Sequence, residues 1–127
     1  MPTSGEQWTG ALSEAVARGL TRLFRRLTDG GQDLAALGPS GETLLHSAAA
    51  GGSAEIVGLL VEKGFSPSKA DRFGWTPLHY AARDGRTEAA RGLIERGSPI
   101  DARNLMGQTA YNVAVERKMD AVSGLLA

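Results

Sequence analysis

The sequence predicts an all-α solenoid, four helix-turn-helix units joined by turn-forming loops in one domain covering residues 1–127. Three observations predict it. Gly41, Gly74 and Gly107 stand 33 residues apart, and each opens the same phrase. It reads Gly41-Glu42-Thr43-Leu44-Leu45-His46, then Gly74-Trp75-Thr76-Pro77-Leu78-His79, then Gly107-Gln108-Thr109-Ala110-Tyr111-Asn112. A fixed period of that size marks stacked units that fold by neighbour contacts rather than around one central core. The phase also extends beyond the glycines: Ala48, Ala81 and Ala114 share a register, as do Leu60 with Leu93, Val61 with Ile94, and Gly64 with Gly97. Lastly, apolar residues inside each unit recur at helical spacing, while turn formers gather between units.

Counting back by the same period recovers a degenerate first copy through Leu12, Ala15, Gly19, Phe24, Leu27 and Gly31. The four copies then occupy approximately residues 6–37, 38–70, 71–103 and 104–127, with the first and last expected to act as caps. Thr43 and Thr76 suit helix N-caps, because a threonine hydroxyl accepts from backbone N–H groups one turn further on. Pro77 follows directly, where a missing N–H costs nothing and the fixed φ is already helical. Leu78, Ala81 and Ala82 form one apolar face, and the small alanines allow a second helix to approach closely. Gly85 breaks the chain for a tight turn. Ala89, Ala90, Leu93 and Ile94 supply the second face, and Gly97 ends that helix as a C′ glycine. From Ser98 to Gln108 the chain carries proline, Asp101, Asn104 and Gly107, which is turn chemistry.

With these residues in place, the unit resembles the ankyrin repeat. Thr76-Pro77-Leu78-His79-Tyr80-Ala81-Ala82 matches that family's T-P-L-H-x-A-A signature at every fixed position, and Gly74, Gly85 and Gly97 match its three glycines. The resemblance covers the chain from about Gln7 onward. In the second copy Leu44 replaces the proline; the fourth reads Thr109-Ala110-Tyr111-Asn112-Val113-Ala114 and has Lys118 in place of a glycine. What the resemblance implies is an ankyrin-repeat solenoid with β-hairpin-like loops. It also implies a structural role for the histidine position, the imidazole tying one hairpin to its neighbour.

Composition narrows the function classes. Fourteen basic and fourteen acidic residues cancel, so no global field recommends nucleic acid or an anionic membrane as a partner. The chain has no cysteine, which excludes disulfides and thiolate metal sites and suits the cytoplasm or nucleus. No apolar run approaches bilayer-spanning length, and residues 1–10 lack the basic-then-apolar order of a signal peptide. A monomer is expected. The end at Leu125-Leu126-Ala127 reads either as a worn final repeat or as the edge of a longer protein, in which case exposed apolar surface would encourage self-association.

An enzyme reading would begin with His46 and His79, the two histidines. A general base needs an orienting partner and a nucleophile in reach. Both histidines instead sit at one repeat position, and two histidines with no cysteine and no carboxylates in phase make a poor metal site. Gly51-Gly52 is followed by no Lys-Ser/Thr pair and so is no phosphate loop. Glu55 with Glu62 reads as a solvated face rather than a two-carboxylate hydrolase site. The cluster Arg22, Arg25 and Arg26 reads as a solvated helix face, or less often a contact for an acidic partner. The sequence thus indicates no catalytic residue, no metal and no cofactor; a His-dependent hydrolase is the remote alternative.

The expected function is a protein-interaction module acting as adaptor, scaffold or inhibitor. The alternative is a structural or targeting segment of a larger protein. The resemblance implies a concave recognition surface of hairpin tips and first-helix edges. In the second copy that is Pro39, Ser40, Glu42, Ala50 and Gly51; in the third, Ala70, Arg72, Phe73, Trp75, Arg83 and Asp84. The fourth adds Arg103, Leu105, Met106, Gln108, Glu116 and Arg117. Arg72, Phe73, Trp75, Arg83, Asp84, Arg103, Leu105, Met106, Gln108 and Arg117 are the partner-binding candidates. Phe73, Trp75, Leu105 and Met106 are expected to form one exposed apolar patch on adjacent tips, with Phe73 and Leu105 folding back between hairpins as the alternative. The four arginines favour a partner carrying apolar anchors and some acidic residues.

Overall fold

Repeat phase becomes three helix pairs in the computed structural model, which describes residues 37–38 and 40–127. The helices are α1 (Leu44–Gly51), α2 (Ala54–Glu62), α3 (Pro77–Arg83), α4 (Thr87–Glu95), α5 (Ala110–Glu116) and α6 (Asp120–Leu126). The degenerate first copy and the arginine cluster fall outside the described residues, as does Pro39.

Each first helix packs on the next first helix, α1 on α3 and α3 on α5, while α2, α4 and α6 form a second layer in the same order. The alanines are what bring the layers together: Ala48, Ala49, Ala81, Ala82, Ala89, Ala90 and Ala114 are all fully buried. Leu44, Leu45, Ile56, Leu60, Leu78 and Leu93 fill the space between them, also at 0% exposure. Each buried Leu or Ile contributes about 1.5–3 kcal/mol of apolar transfer, so the core is a seam running along the stack rather than a central ball.

Local chemistry sets where helices stop. Lys63 and Gly64 close α2: the Gly64 N–H donates to the Val61 carbonyl at 3.0 Å and the Phe65 N–H to Leu60 at 3.1 Å. Gly97 and Ser98 repeat that pattern after α4, donating to Ile94 at 3.1 Å and Leu93 at 2.9 Å. This is the doubly bonded C-terminal motif that needs a left-handed residue at C′, and Gly64 and Gly97 supply it at φ 103° and 91°. After α5 the position belongs to Lys118, which is forced to φ 60° while its N–H and that of Met119 make the same two bonds. A side chain there costs about 1 kcal/mol relative to glycine.

Adjacent copies are also stitched at their inner turns. Arg86 lays its side chain over Gly52 and donates from Nε to the Ala50 carbonyl at 2.9 Å. Met119, its equivalent one copy on, lies over Gly85.

Candidate protein-interaction surface

In the third and fourth copies the loop between copies is a tight hairpin-like tip organised by one short polar side chain. In the third copy Asp71 Oδ1 accepts from the N–H groups of Phe73 and Trp75, both at 2.9 Å, while its own N–H donates to the Trp75 carbonyl at 2.9 Å. Asn104 does the same in the fourth copy, accepting from Met106 at 2.9 Å and Gln108 at 3.0 Å. Gly38 occupies this position in the second copy and has no side chain to offer; Glu42 Oε1 instead accepts from the Ser40 N–H at 2.8 Å. The tips are then joined edge to edge, the Arg72 N–H donating to Ser40 O at 2.8 Å and the Leu105 N–H to Phe73 O at 3.1 Å. Such satisfied turns fix the backbone from which the outward side chains project, which reduces the ordering cost of binding.

Both histidines are consumed by this framework. His46 Nδ1 accepts from the Thr43 N–H at 3.0 Å, and Nε2–H donates to the Trp75 carbonyl at 2.9 Å. His79 bonds Thr76 N–H at 3.2 Å and the Gln108 carbonyl at 2.8 Å. One nitrogen therefore completes a capping box within a copy, and the other ties that copy to the next tip. Burial pushes both imidazoles below their usual 6.5, outweighing the carbonyl bonds that favour the charged form. Neither nitrogen is left for a substrate. Among the described residues, no group of three or more His, Cys, Asp or Glu could hold a metal ion.

The four apolar tip residues divide. Phe73, Leu105 and Met106 stand out at 54%, 77% and 79% exposure, and neither Phe73 nor Leu105 folds back between hairpins. Trp75 departs from expectation. It is only partly exposed and packs against the core, its ring 5.6 Å from His79 and edge-on to Tyr80 at 6.0 Å. The reason is its place immediately before the N-cap Thr76, from which it reaches Tyr80 in the first turn of α3 as a hydrophobic staple. The N′-to-N4 spacing of Trp75 and Tyr80 around Thr76 is the sequence signal of that staple.

The polar candidates also divide. Arg72, Arg103 and Arg117 are exposed, although Arg103 Nη1 donates to the Gly107 carbonyl at 2.8 Å. Arg83 and Asp84 are half-buried and paired at 3.0 Å, with the Arg83 guanidinium 4.8 Å over the Tyr80 ring. Gln108 bridges Asn104 and Glu116 at 3.0 and 3.1 Å. Tyr80, which is not among the sequence candidates, donates from its hydroxyl to Asp71 Oδ2 at 2.5 Å. Burial and that bond push the phenol well above its ordinary range, so it stays a donor. No period marks it, because its equivalents are Ser47 and Val113.

Comparison with family models finds "Ankyrin repeats (3 copies)" over residues 12–104 and again over 71–127. The chain belongs to the ankyrin repeat family. A comparison with curated proteins finds no match. Ankyrin repeats are typically non-catalytic and generally bind proteins, in keeping with histidines spent on scaffold bonds and with apolar side chains displayed on rigid tips. No helix among the described residues is long and apolar enough to cross a membrane.

Proposed function

We propose that this ankyrin repeat chain is a protein-binding module that works by occupancy alone, with its contact surface on the tips of the third and fourth copies. The observation that carries the reading is the exposure of Phe73, Leu105 and Met106 on neighbouring tips whose backbones are hydrogen-bonded to each other. Large apolar side chains held out on a rigid frame are poor for solubility alone and good as anchors. Arg72, Arg103 and Arg117 would rim these anchors, with Gln108, Arg83 and Asp84 as half-buried polar contacts along the first-helix side. Trp75 would contribute its exposed edge while bracing α3. An apolar segment flanked by acidic side chains is the partner such a rim favours.

Affinity capture from source-cell extract tests this directly. Leu105→Asp/Met106→Asp should lose the partner that the wild-type chain recovers, with an unchanged melting curve. Undiminished recovery overturns the assignment of the tips. Trp75→Ala is a poor first test, because it removes core packing along with any contact.

A further inference from the structure

Three of the five prolines directly follow a hydroxyl residue, in Ser66-Pro67, Thr76-Pro77 and Ser98-Pro99. The fold treats the three hydroxyls differently. Thr76 is 3% exposed, and its Oγ1 lies 2.9 Å from His79 Nδ1 inside the capping box of α3. Ser98 is 6% exposed; its N–H closes α4 on the Leu93 carbonyl, and its Oγ donates to the Pro67 carbonyl at 3.5 Å. Both of these hydroxyls belong to the scaffold. Ser66 instead stands exposed, just past the C-terminal end of α2. Its Oγ bonds within its own turn, accepting from the Ser68 N–H at 3.2 Å and lying 2.9 Å from Ser68 Oγ. Repeat phase sets it apart as well. Its equivalent one copy on is Pro99, so the stack does not call for a serine there.

The neighbouring charges single out the same residue. Lys63 and Lys69, both exposed, stand three residues before and three after Ser66. Three residues after Thr76 comes the buried His79, and three after Ser98 comes the acidic Asp101. We propose that Ser66 is a phosphorylation site, read through Ser66-Pro67-Ser68-Lys69 by a proline-directed protein kinase. In the transfer, Ser66 Oγ bonds to the γ-phosphorus of ATP, the bond from that phosphorus to the ADP oxygen breaks, and the hydroxyl proton passes to a carboxylate of the kinase. Proline suits the position after the acceptor because it brings no N–H. Any other residue there carries a donor into an enzyme pocket that has nothing to accept it. Lys69 supplies a cation for an acidic subsite on the same enzyme.

Access costs little. The turn closes through the Lys69 N–H on the Ser66 carbonyl at 3.2 Å, and Ser98 holds it at 3.5 Å. Both bonds are long and neither lies within a helix, so the segment can extend into a kinase groove while α2 and α4 stay folded. The phosphate adds about two negative charges to a chain whose fourteen basic and fourteen acidic residues cancel, with a lysine on either side to hold it. The site stands whether or not the tip anchors bind a partner.

The test is to incubate the folded full chain with a purified proline-directed serine/threonine kinase and Mg-ATP, and to follow uptake by intact-mass and peptide mass spectrometry. One phosphate should enter, on Ser66. Ser66→Ala should take up none, and Lys69→Glu should slow uptake about tenfold. Both positions are exposed, so both variants should keep the wild-type melting curve. A wild-type chain that takes up no phosphate overturns the proposal. So does uptake on Thr76 or Ser98, uptake that survives Ser66→Ala, or a Lys69→Glu rate equal to the wild type's.

Discussion

The third and fourth copies share one period and one tip geometry, yet they spend it differently. In the third, the fixed positions of Thr76-Pro77-Leu78-His79-Tyr80-Ala81-Ala82 are all buried: Leu78 is sealed and His79 bonds forward to Gln108, while Gly85 sits in the left-handed conformation at φ 68°. In the fourth, Tyr111 is open, Asn112 bonds only backward, and Lys118 is held at φ 60° where glycine fits best. What the fourth copy keeps is everything that folds a copy by itself, namely the Asn104 turn, the Thr109 cap and the buried Ala110, Val113 and Ala114. What it drops is what joins a copy to a successor. Local and between-copy chemistry are therefore separable, residue by residue.

The largest expected break in that comparison comes at the histidine position. His79→Ala strips the Gln108 carbonyl and the Thr76 N–H of their partner inside the stack and leaves a hole, for a loss of about 4 kcal/mol. Asn112→Ala removes only a cap and should cost about 1 kcal/mol. Urea unfolding of the two variants checks the ratio, and equal losses would erase the distinction between the copies.

Next comes the glycine that opens the phrase. A Cβ on Gly74 would lie 2.8 Å from the Leu105 amide nitrogen in the neighbouring tip, on a backbone at φ 80°. Gly107 has nearly the same φ, 77°, and nothing within 4 Å. Gly74→Ala should therefore lose about 3 kcal/mol, strain plus clash, against about 1 kcal/mol for Gly107→Ala. Thermal denaturation separates them.

Acid sharpens the contrast further. His46 and His79 are held neutral in the fold, with pKa values lowered from 6.5 by burial. The unfolded chain then binds more protons than the native one below that value. Their contribution to stability is full above about pH 6.5 and falls as pH drops through it, with a limiting slope of about 2.7 kcal/mol per pH unit for the pair. His46→Asn/His79→Asn should flatten this part of the profile. The Asn112 boundary has no such group, so amide exchange in α3 should respond to pH 5.5–6.5 (a range set by the unfolded histidine value) more than exchange in α5.

The smallest effect runs in the opposite direction. Lys118→Gly relieves a left-handed lysine and should stabilise the chain by about 1 kcal/mol, raising the melting temperature by a few degrees. A drop instead would mean that the lysine side chain makes up for its backbone.

Much of this was legible in the sequence because repeat phase reports packing. The apolar faces of Leu78, Ala81, Ala82, Ala89, Ala90, Leu93 and Ile94 are buried at 0% exposure except for Ile94, which is partly buried against the core. The caps at Thr43 and Thr76 and the C′ role of Gly97 were legible for the same reason: each is a local rule with a local cause. Residues that break the period were harder to place. Phe73, Leu105 and Met106 fell outside the apolar helix faces and do stand exposed, whereas Trp75 turned inward onto Tyr80. Tyr80 and Asp71 meet across nine residues through a side-chain bond that no repeat position encodes. The open Tyr111 and Val115 align with sealed positions, so phase alone marks them as core, yet no described residue covers them.

The central claim is that periodic positions build the stack and the tip residues that escape the period bind a partner. Measuring thermal stability and partner recovery together on two variants tests it most directly. Phe73→Ala/Leu105→Ala/Met106→Ala should lose partner recovery with an unchanged melting temperature, while His79→Asn should lower the melting temperature yet recover the partner below the melt. Retained recovery in the tip variant, or a melting temperature that falls with its recovery, would contradict the claim.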